Sequence, residues 1–368
     1  MLIDIIAAEQ TDFIKIASVI DAIRKEQNKG SNIRYRLIYT GHYDDKNLSQ
    51  RFFEQLNIPR PHINLETGKG ISDVEQTAIV MMRYQKALSL GKPRLVLITG
   101  DSNATIACAI TAKKTYQLAI AHIDSGLRNN DPTATNEINR VLTDSITDYY
   151  FTPSHSANAN LRKMGVPDEK IFFVGNPRID TMNKIRQLFD QPHFWSKIKL
   201  KAQNYILVCL HRSQNMKPLL LKEMLARIIN SAQGMPLIFP TDMAGAKLLT
   251  AAGLKPPAVY ATNLLEYPQF IFLLENAKLV VTDYTGIQEE TTALHIPCIT
   301  LGANKDLPET FIVGTNQLVS DADGMTTALE KLFSGNWKRG NIPYMWEGYA
   351  ASRIMALLKN INTEKKLT

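Results

Sequence analysis

Polar side chains collect wherever a short apolar run of this sequence ends. Glu9-Gln10-Thr11-Asp12 follows residues 2–6, with Lys15 one turn further on, and Gly100-Asp101-Ser102-Asn103 follows residues 95–99. His122 and Asp124-Ser125-Gly126-Leu127-Arg128 close residues 118–123, and Asn136-Glu137-Ile138-Asn139-Arg140 opens the next helical pattern. Further along stand Leu210-His211-Arg212 and Thr282-Asp283-Tyr284-Thr285-Gly286, the latter running into Glu289 and Glu290. Carboxylates so placed can take and return protons, and cations can hold an anion. A glycine turn entering a helix presents free backbone N–H groups to a phosphate, as Tyr284-Thr285-Gly286 would.

Each group also has a plainer use. Asp101, directly after an apolar run, suits a helix N-cap as well as proton transfer, and Asp124 suits a turn. Glu137 and Arg140, three apart on one helix, make a solvated ion pair the simpler expectation. His211 beside Arg212 is costly to bury unpaired, so an anion is expected nearby. What these groups share is their position at strand ends.

The elements that must hold them alternate. Residues 2–6, 95–99 and 118–123 are largely apolar runs that read as strands, and residues 34–39 read as a strand as well. After the first, Asp12 can cap a helix whose Ile14, Ala17, Val19, Ile20 and Ile23 recur at helical spacing. Residues 95–99 are apolar nearly throughout, as in a strand covered on both faces. The pattern lapses after residues 171–174, a link is expected around 176–203, and alternation restarts at 205–210, 236–239, 279–282 and 297–301. This predicts an α/β protein of two Rossmann-like, doubly wound parallel sheets, with ligands beyond the carboxyl ends of the strands. The expected domains are residues 1–178 and a nucleotide-binding domain over 179–345. A final helix over 346–360, with Ala350, Ile354, Leu357 and Leu358 on one face, is expected to return to the first domain and extend it by residues 346–368.

With 368 residues the chain is long enough for two such domains, and 45% hydrophobic with 21% charged residues leaves little room for disorder. Cys108, Cys209 and Cys298 lie far apart among apolar neighbours. That points to buried thiols in a reducing compartment, with no disulfide framework and no metal site. The first apolar run has no basic lead and contains Asp4, and no stretch reaches membrane-spanning length, so a cytoplasmic protein is expected. The net charge of +7 concentrates in residues 181–222, which carry eight basic side chains against Asp190 alone. Those before Tyr205 suit a solvated link. The others flank His211, so the excess points to an anionic small molecule rather than to nucleic acid or a membrane.

Taken in order, Thr99-Gly100-Asp101, His122-Ile123-Asp124-Ser125-Gly126-Leu127-Arg128, Asn139-Arg140, Val174-Gly175-Asn176, Leu210-His211-Arg212 and Thr282-Asp283 with Gly286-Ile287-Gln288-Glu289-Glu290 resemble the bacterial non-hydrolysing UDP-N-acetylglucosamine 2-epimerases. Thr40-Gly41-His42-Tyr43-Asp44 resembles the loop after that family's second strand. The resemblance implies two Rossmann-like domains facing a cleft in the GT-B manner, a UDP-sugar substrate, a homodimer, and neither cofactor nor metal. It implies inversion of UDP-GlcNAc at C2 to UDP-ManNAc, by elimination and re-addition of UDP, for surface polysaccharide synthesis. By the same resemblance Asp101, Asp124, Glu137 and His211 are catalytic candidates, with His211 on the diphosphate or uridine side. Gln10, Lys15, Arg212, Phe270, Tyr284, Thr285, Gly286 and Glu290 fall at substrate-binding positions, Lys15 in the first loop, Gly286 in the phosphate turn, Glu290 at the ribose and Phe270 near the uracil.

Several positions depart from that pattern. Gln10 and Leu307 stand where the family has arginine, Asp124 and Asn136 where it has glutamate, and Tyr284-Thr285 where it has Ser-Gly. Lost charge-assisted contacts weaken diphosphate binding, and a displaced base slows proton transfer. Two further readings therefore stand beside the epimerase. One is a homologue that binds another nucleotide sugar or serves as a non-catalytic partner; the other is a GT-B glycosyltransferase, which shares the architecture.

Overall fold

The computed structural model describes residues 1–41, 50–68, 72–188, 190–210, 218–251, 253–302 and 306–364. The chain divides into two compact units, Met1–Thr181 with Tyr344–Thr368, and Met182–Pro343. Both are built on an all-parallel sheet.

In the first unit the strands are β1 (Leu2–Ala7), β2 (Arg34–Tyr39), β3 (Ile63–Asn64), β4 (Leu95–Thr99), β5 (Ala119–Ile123), β6 (Tyr149–Thr152) and β7 (Ile171–Phe173), in the order β3-β2-β1-β4-β5-β6-β7. Chain order reverses between β1 and β4, so the loops leaving those two strands diverge and open a crevice at their carboxyl ends. All five residues of β4 are buried. On one face Val96, Ile98 and Ile120 pack with Val80, Tyr84, Ala107 and Cys108 from the helices Asp73–Ser89 and Asn103–Tyr116. Asp4 sits inside β1 because Arg36, its register partner on β2, meets both carboxylate oxygens at 2.7 and 2.8 Å, and the Tyr84 hydroxyl donates to it at 3.1 Å.

The helix Ala350–Glu364 belongs to this unit and packs on the helix Gln10–Asn28. Ala350, Ile354 and Leu358 are buried as the pattern predicts, whereas Leu357 is only half-buried. Asp180 caps this helix, accepting from the Ala350 and Ala351 N–H groups at 3.2 and 2.8 Å. Just before it, the wholly buried Trp346 donates from Nε1 to the Pro153 carbonyl at 2.8 Å. Gly175 has φ +87°, and a Cβ there would lie 1.9 Å from the Met345 carbonyl oxygen, so only glycine lets the two backbones meet.

The second unit has β8 (Ile206–Cys209), β9 (Leu237–Pro240), β10 (Val259–Thr262), β11 (Leu279–Thr282), β12 (Cys298–Leu301) and β13 (Asn316–Val319), in the order β10-β9-β8-β11-β12-β13. Here the reversal falls between β8 and β11. Val208, Val281 and Ile299 pack with Met224, Ile228, Met325 and Leu329 from the helices Pro218–Ser231 and Ala322–Phe333.

The stretch expected as a link over 176–203 is largely ordered structure instead. It holds the helix Pro177–Ile185, a 3₁₀ turn Arg186–Leu188 and the short helix Phe194–Lys197. Trp195 stands edge-on to Tyr205 and Phe272, with ring centroids 5.7 and 5.1 Å apart, and Arg186 pairs with Glu275. These aromatic and ionic contacts, not local propensity, order the segment.

Trp346 anchors the returning segment by burial and by one hydrogen bond. Trp346→Ala should cost about 3–5 kcal/mol, read as a fall in the urea midpoint with the slope of the transition unchanged.

Candidate active site

Thr99 of β4 lies opposite Ile123 of β5, so Asp101 and Asp124 emerge from neighbouring strands at their carboxyl ends. Asp124 adopts φ +67°, a left-handed conformation that aspartate tolerates better than most residues. Its carboxylate forms an ion pair with Lys15, delivered from the helix that follows β1, and both side chains are largely buried.

Asp101 is not a helix cap. Ser102 takes that role, its hydroxyl oxygen accepting from the Thr105 N–H at 3.2 Å. Asp101 instead faces Arg140, with Nη2 to Oδ2 at 2.6 Å, and the Asn136 amide at 3.4 Å. The expected solvated pair of Glu137 and Arg140 is buried, at 3.6 Å, and Glu137 also accepts from the Asn129 N–H at 3.0 Å. Arg140 therefore serves two carboxylates, with the closer contact to Asp101.

The helix after β1 begins at Gln10, which is half-buried, with Glu9 as its N-cap. Asp12 is thus inside the first turn, and its Oδ2 reaches back to accept from the Ala8 and Glu9 N–H groups at 2.8 and 3.1 Å. Burial, then the charge of Glu9, pushes the Asp12 carboxyl up to about 7.

Behind both loops lies a buried group of charges. Asp144 accepts at Oδ2 from the Gly126 N–H at 3.0 Å and from Arg128 Nη2 at 2.6 Å, while its Oδ1 lies 2.9 Å from His122 Nδ1. Burial works to raise the Asp144 carboxyl, but the hydrogen bond and charge of His122, with Arg128, prevail and hold it below its ordinary range.

In the second unit Tyr284 is the N-cap of the helix Thr285–Ala293, just beyond the carboxyl end of β11. The Tyr284 N–H donates to Thr282 Oγ1 at 3.1 Å and the Thr285 hydroxyl to Asp306 at 3.4 Å. Gly286 is buried in the first turn. Glu290 is buried too, and Tyr267 donates its hydroxyl to it at 2.7 Å. Phe270 is half-buried on the helix Tyr267–Asn276 that also carries Tyr267. Leu307 is wholly buried and belongs to the packing of the unit. His211 and Arg212, like His42-Tyr43-Asp44, lie outside the described residues.

The structure thus groups Lys15 with Asp124, and Asp101 with Arg140, Asn136 and Glu137. The sequence alone did not mark Arg140 as the partner of Asp101, Tyr267 as the support of Glu290, or His122 and Asp144 as a pair. Only His122 carried a signal, as a polar residue inside an apolar run. No group of His, Cys, Asp and Glu among the described residues has the arrangement of a metal site.

Two doubly wound parallel units, each with its polar groups gathered at the carboxyl ends of the strands, define a protein of the GT-B-like class. The sequence pattern of the UDP-N-acetylglucosamine 2-epimerases matches residues 25–359, and the chain belongs to that family. It is 33% identical to the UDP-N-acetylglucosamine 2-epimerase of Methanocaldococcus jannaschii, over 97% of this chain and 99% of that protein. It is 31% identical to the UDP-2,3-diacetamido-2,3-dideoxy-D-glucuronate 2-epimerase of Pseudomonas aeruginosa, over 97% of this chain and 99% of that one. The crystal structure of the M. jannaschii UDP-GlcNAc 2-epimerase with UDP-GlcNAc and UDP superposes with a TM-score of 0.86 at 32% identity, covering 98% of this chain and all of that one.

The raised carboxyl of Asp12 sets a pH test. Between its ordinary 3.8 and about 7 the folded protein keeps a proton that the unfolded chain has lost. The contribution of this group to stability therefore falls as pH rises through that window. Asp12→Asn keeps the accepting oxygen without the charge, so its Tm relative to wild type should climb from about pH 4 to about pH 7 and then level off. A difference that stays flat over that range contradicts the assignment.

Proposed function

We propose that the protein interconverts UDP-N-acetylglucosamine and UDP-N-acetylmannosamine by elimination and re-addition of UDP. The observation that carries this reading is the pair Asp101 and Asp124, on neighbouring strand ends, each beside its own cation. In elimination a carboxylate takes the C2 proton, the C1–O bond breaks and UDP leaves, so that C1 and C2 are joined by a double bond. Re-addition of UDP at C1, with a proton delivered to the other face of C2, inverts that centre. The two faces require two proton carriers, and Asp101 and Asp124 are assigned to them. The cation beside each balances its charge before it takes the proton, and Glu137 helps to orient Arg140.

The second unit supports the nucleotide. Backbone N–H groups at Thr285 and Gly286, where the helix dipole is positive, suit the diphosphate whose charge grows as C1–O breaks. Glu290, held by Tyr267, is assigned to the ribose, with Phe270 toward the uracil and Gln10, Lys15, His211 and Arg212 toward the sugar diphosphate. The similarity to the P. aeruginosa enzyme favours a second reading, in which the substrate is another UDP-2-acetamido sugar.

The partner reading is a homodimer. Ile138, Val141 and Leu142 form one face of the helix Thr135–Ser145 and are 45%, 41% and 49% exposed, while Glu137 and Arg140 on the same helix are buried. An apolar face of this kind is best covered by a second copy of the chain. Three buried free thiols support a reducing, cytoplasmic compartment. No helix among the described residues is long and apolar enough to cross a membrane.

NMR of UDP-GlcNAc in D2O with the protein should show deuterium at C2 together with UDP-ManNAc, and Asp101→Asn should lower the rate by about 10²–10⁴-fold. Exchange with a different UDP-2-acetamido sugar alone would select the second reading; no exchange with any would overturn both. For the dimer, Leu142→Asp should halve the mass seen by light scattering, and a wild-type monomer at micromolar concentration would refute it.

A further inference from the structure

Proton transfer at two faces of one carbon needs Asp101 and Asp124 at fixed positions, and one buried carboxylate touches the turn of Asp124 and reaches the loop of Asp101 through His122. Asp144 is wholly buried near the end of the helix Thr135–Ser145. Its Oδ2 gathers the Gly126 N–H and Arg128, and so fixes the turn that begins at Asp124. Its Oδ1 meets Nδ1 of His122, whose Nε2 lies 3.0 Å from the carbonyl oxygen of Gly100, the residue before Asp101. Gly100 has φ +73°, a left-handed conformation that glycine adopts without the strain a side chain would bring.

The chemistry of the partners fixes the state of the ring. A carbonyl oxygen only accepts, so Nε2 must carry a proton to bond Gly100. An ionised carboxylate also only accepts, so Nδ1 must carry another. Arg128, 2.6 Å from Asp144 on its other oxygen, favours the ionised carboxylate over a shared neutral pair. Two donating nitrogens on one ring make an imidazolium.

We propose that Asp144 is a positioning residue, which acts through a doubly protonated His122 to clamp the backbone carrying Asp101 to the turn carrying Asp124. The kinetic part of this inference rests on the epimerase reading; the state of the ring does not. A plain stabilising network would lower Tm when broken and leave the turnover of each folded molecule unchanged. A clamp on the reacting groups lowers kcat while substrate binding, which engages other groups, is retained.

The test uses the full chain with 15N-labelled histidine, the His122 signals being assigned by their loss in His122→Asn. At pH 7.5 both ring nitrogens of His122 should be protonated, and in Asp144→Asn one of them should lose its proton. A neutral ring in the wild-type protein overturns the proposal whether or not the protein turns over. His122→Asn, whose amide can replace Nδ1 but does not reach Gly100, and His122→Gln, whose amide can replace Nε2 but not Nδ1, each break one arm of the clamp. Both should lose roughly 10²-fold in kcat for C2 proton exchange with KM for UDP-GlcNAc within about two-fold of wild type. Either variant, folded and with wild-type kcat, refutes the clamp. If the wild type itself shows no exchange, the epimerase reading fails while the ring measurement still decides the protonation.

Discussion

A carboxylate taken out of water costs several kcal/mol unless a cation or a set of donors meets it, and the first unit is organised by that constraint. Asp4 is met by Arg36 across β1 and β2, Asp124 by Lys15, and Asp144 by His122 and Arg128. In each case the partners come from different elements, so neutralising a charge also fixes one element against another. Lys15 and Asp124 lie 109 residues apart in sequence, and their pairing ties the helix after β1 to the end of β5. Asp12 is met mainly by backbone N–H groups, and its carboxyl is correspondingly raised where Asp144 is lowered. Asp4, with Arg36 as its cation, is raised as well, so burial prevails over one cation and over backbone dipoles, whereas His122 and Arg128 together outweigh it at Asp144.

The second unit meets the same constraint with hydrogen bonds. The helix Thr285–Ala293 carries Gln288, Glu289, Glu290, Thr291 and Thr292, all of them buried. Asn316 links it to the sheet, its amide donating to the Gln288 carbonyl at 3.1 Å, while the Thr291 hydroxyl donates to Asn316 Oδ1 at 3.4 Å. The Thr310 hydroxyl donates to Gln288 Oε1 at 3.4 Å. A polar helix in a core is stable only where such partners wait for it. It places the Thr285-Gly286 turn at the end of β11 on a support that cannot slide without losing several hydrogen bonds at once.

The strands were the most legible part of the sequence. The runs at 95–99 and 279–282 have the bounds of β4 and β11, because a central parallel strand buried on both faces must be apolar nearly throughout, and the run at 34–39 has those of β2 although Arg34 is exposed and Arg36 half-buried. The segment after residue 176 was not legible, since Trp195 is held by Tyr205 and Phe272 from elements no local pattern connects to it. The site divided in the same way. Its carboxylates were visible as polar residues at strand ends, but their partners were not. Helical spacing pairs Arg140 with Glu137, three residues away, whereas the closer contact is to Asp101. That preference follows from the register of β4 against β5 and the packing of the helix after them, which a single sequence does not state.

The same geometry bears on the departures from the family pattern. Leu307 replaces an arginine at a wholly buried position, so its side chain answers to packing within the second unit rather than to an anion. Asn136 differs in kind, because it stands 3.4 Å from Asp101, where Arg140 already serves both Asp101 and Glu137. A glutamate at that position would bring a third carboxylate to one guanidinium, and the mutual repulsion would raise the proton affinity of at least one of them. Asparagine presents a donor instead and leaves the short contact of Arg140 to Asp101. The substitution therefore removes one carboxylate from this cluster while easing the charge around Asp101, and under the proposed chemistry it leaves the proton transfer to Asp101 and Asp124.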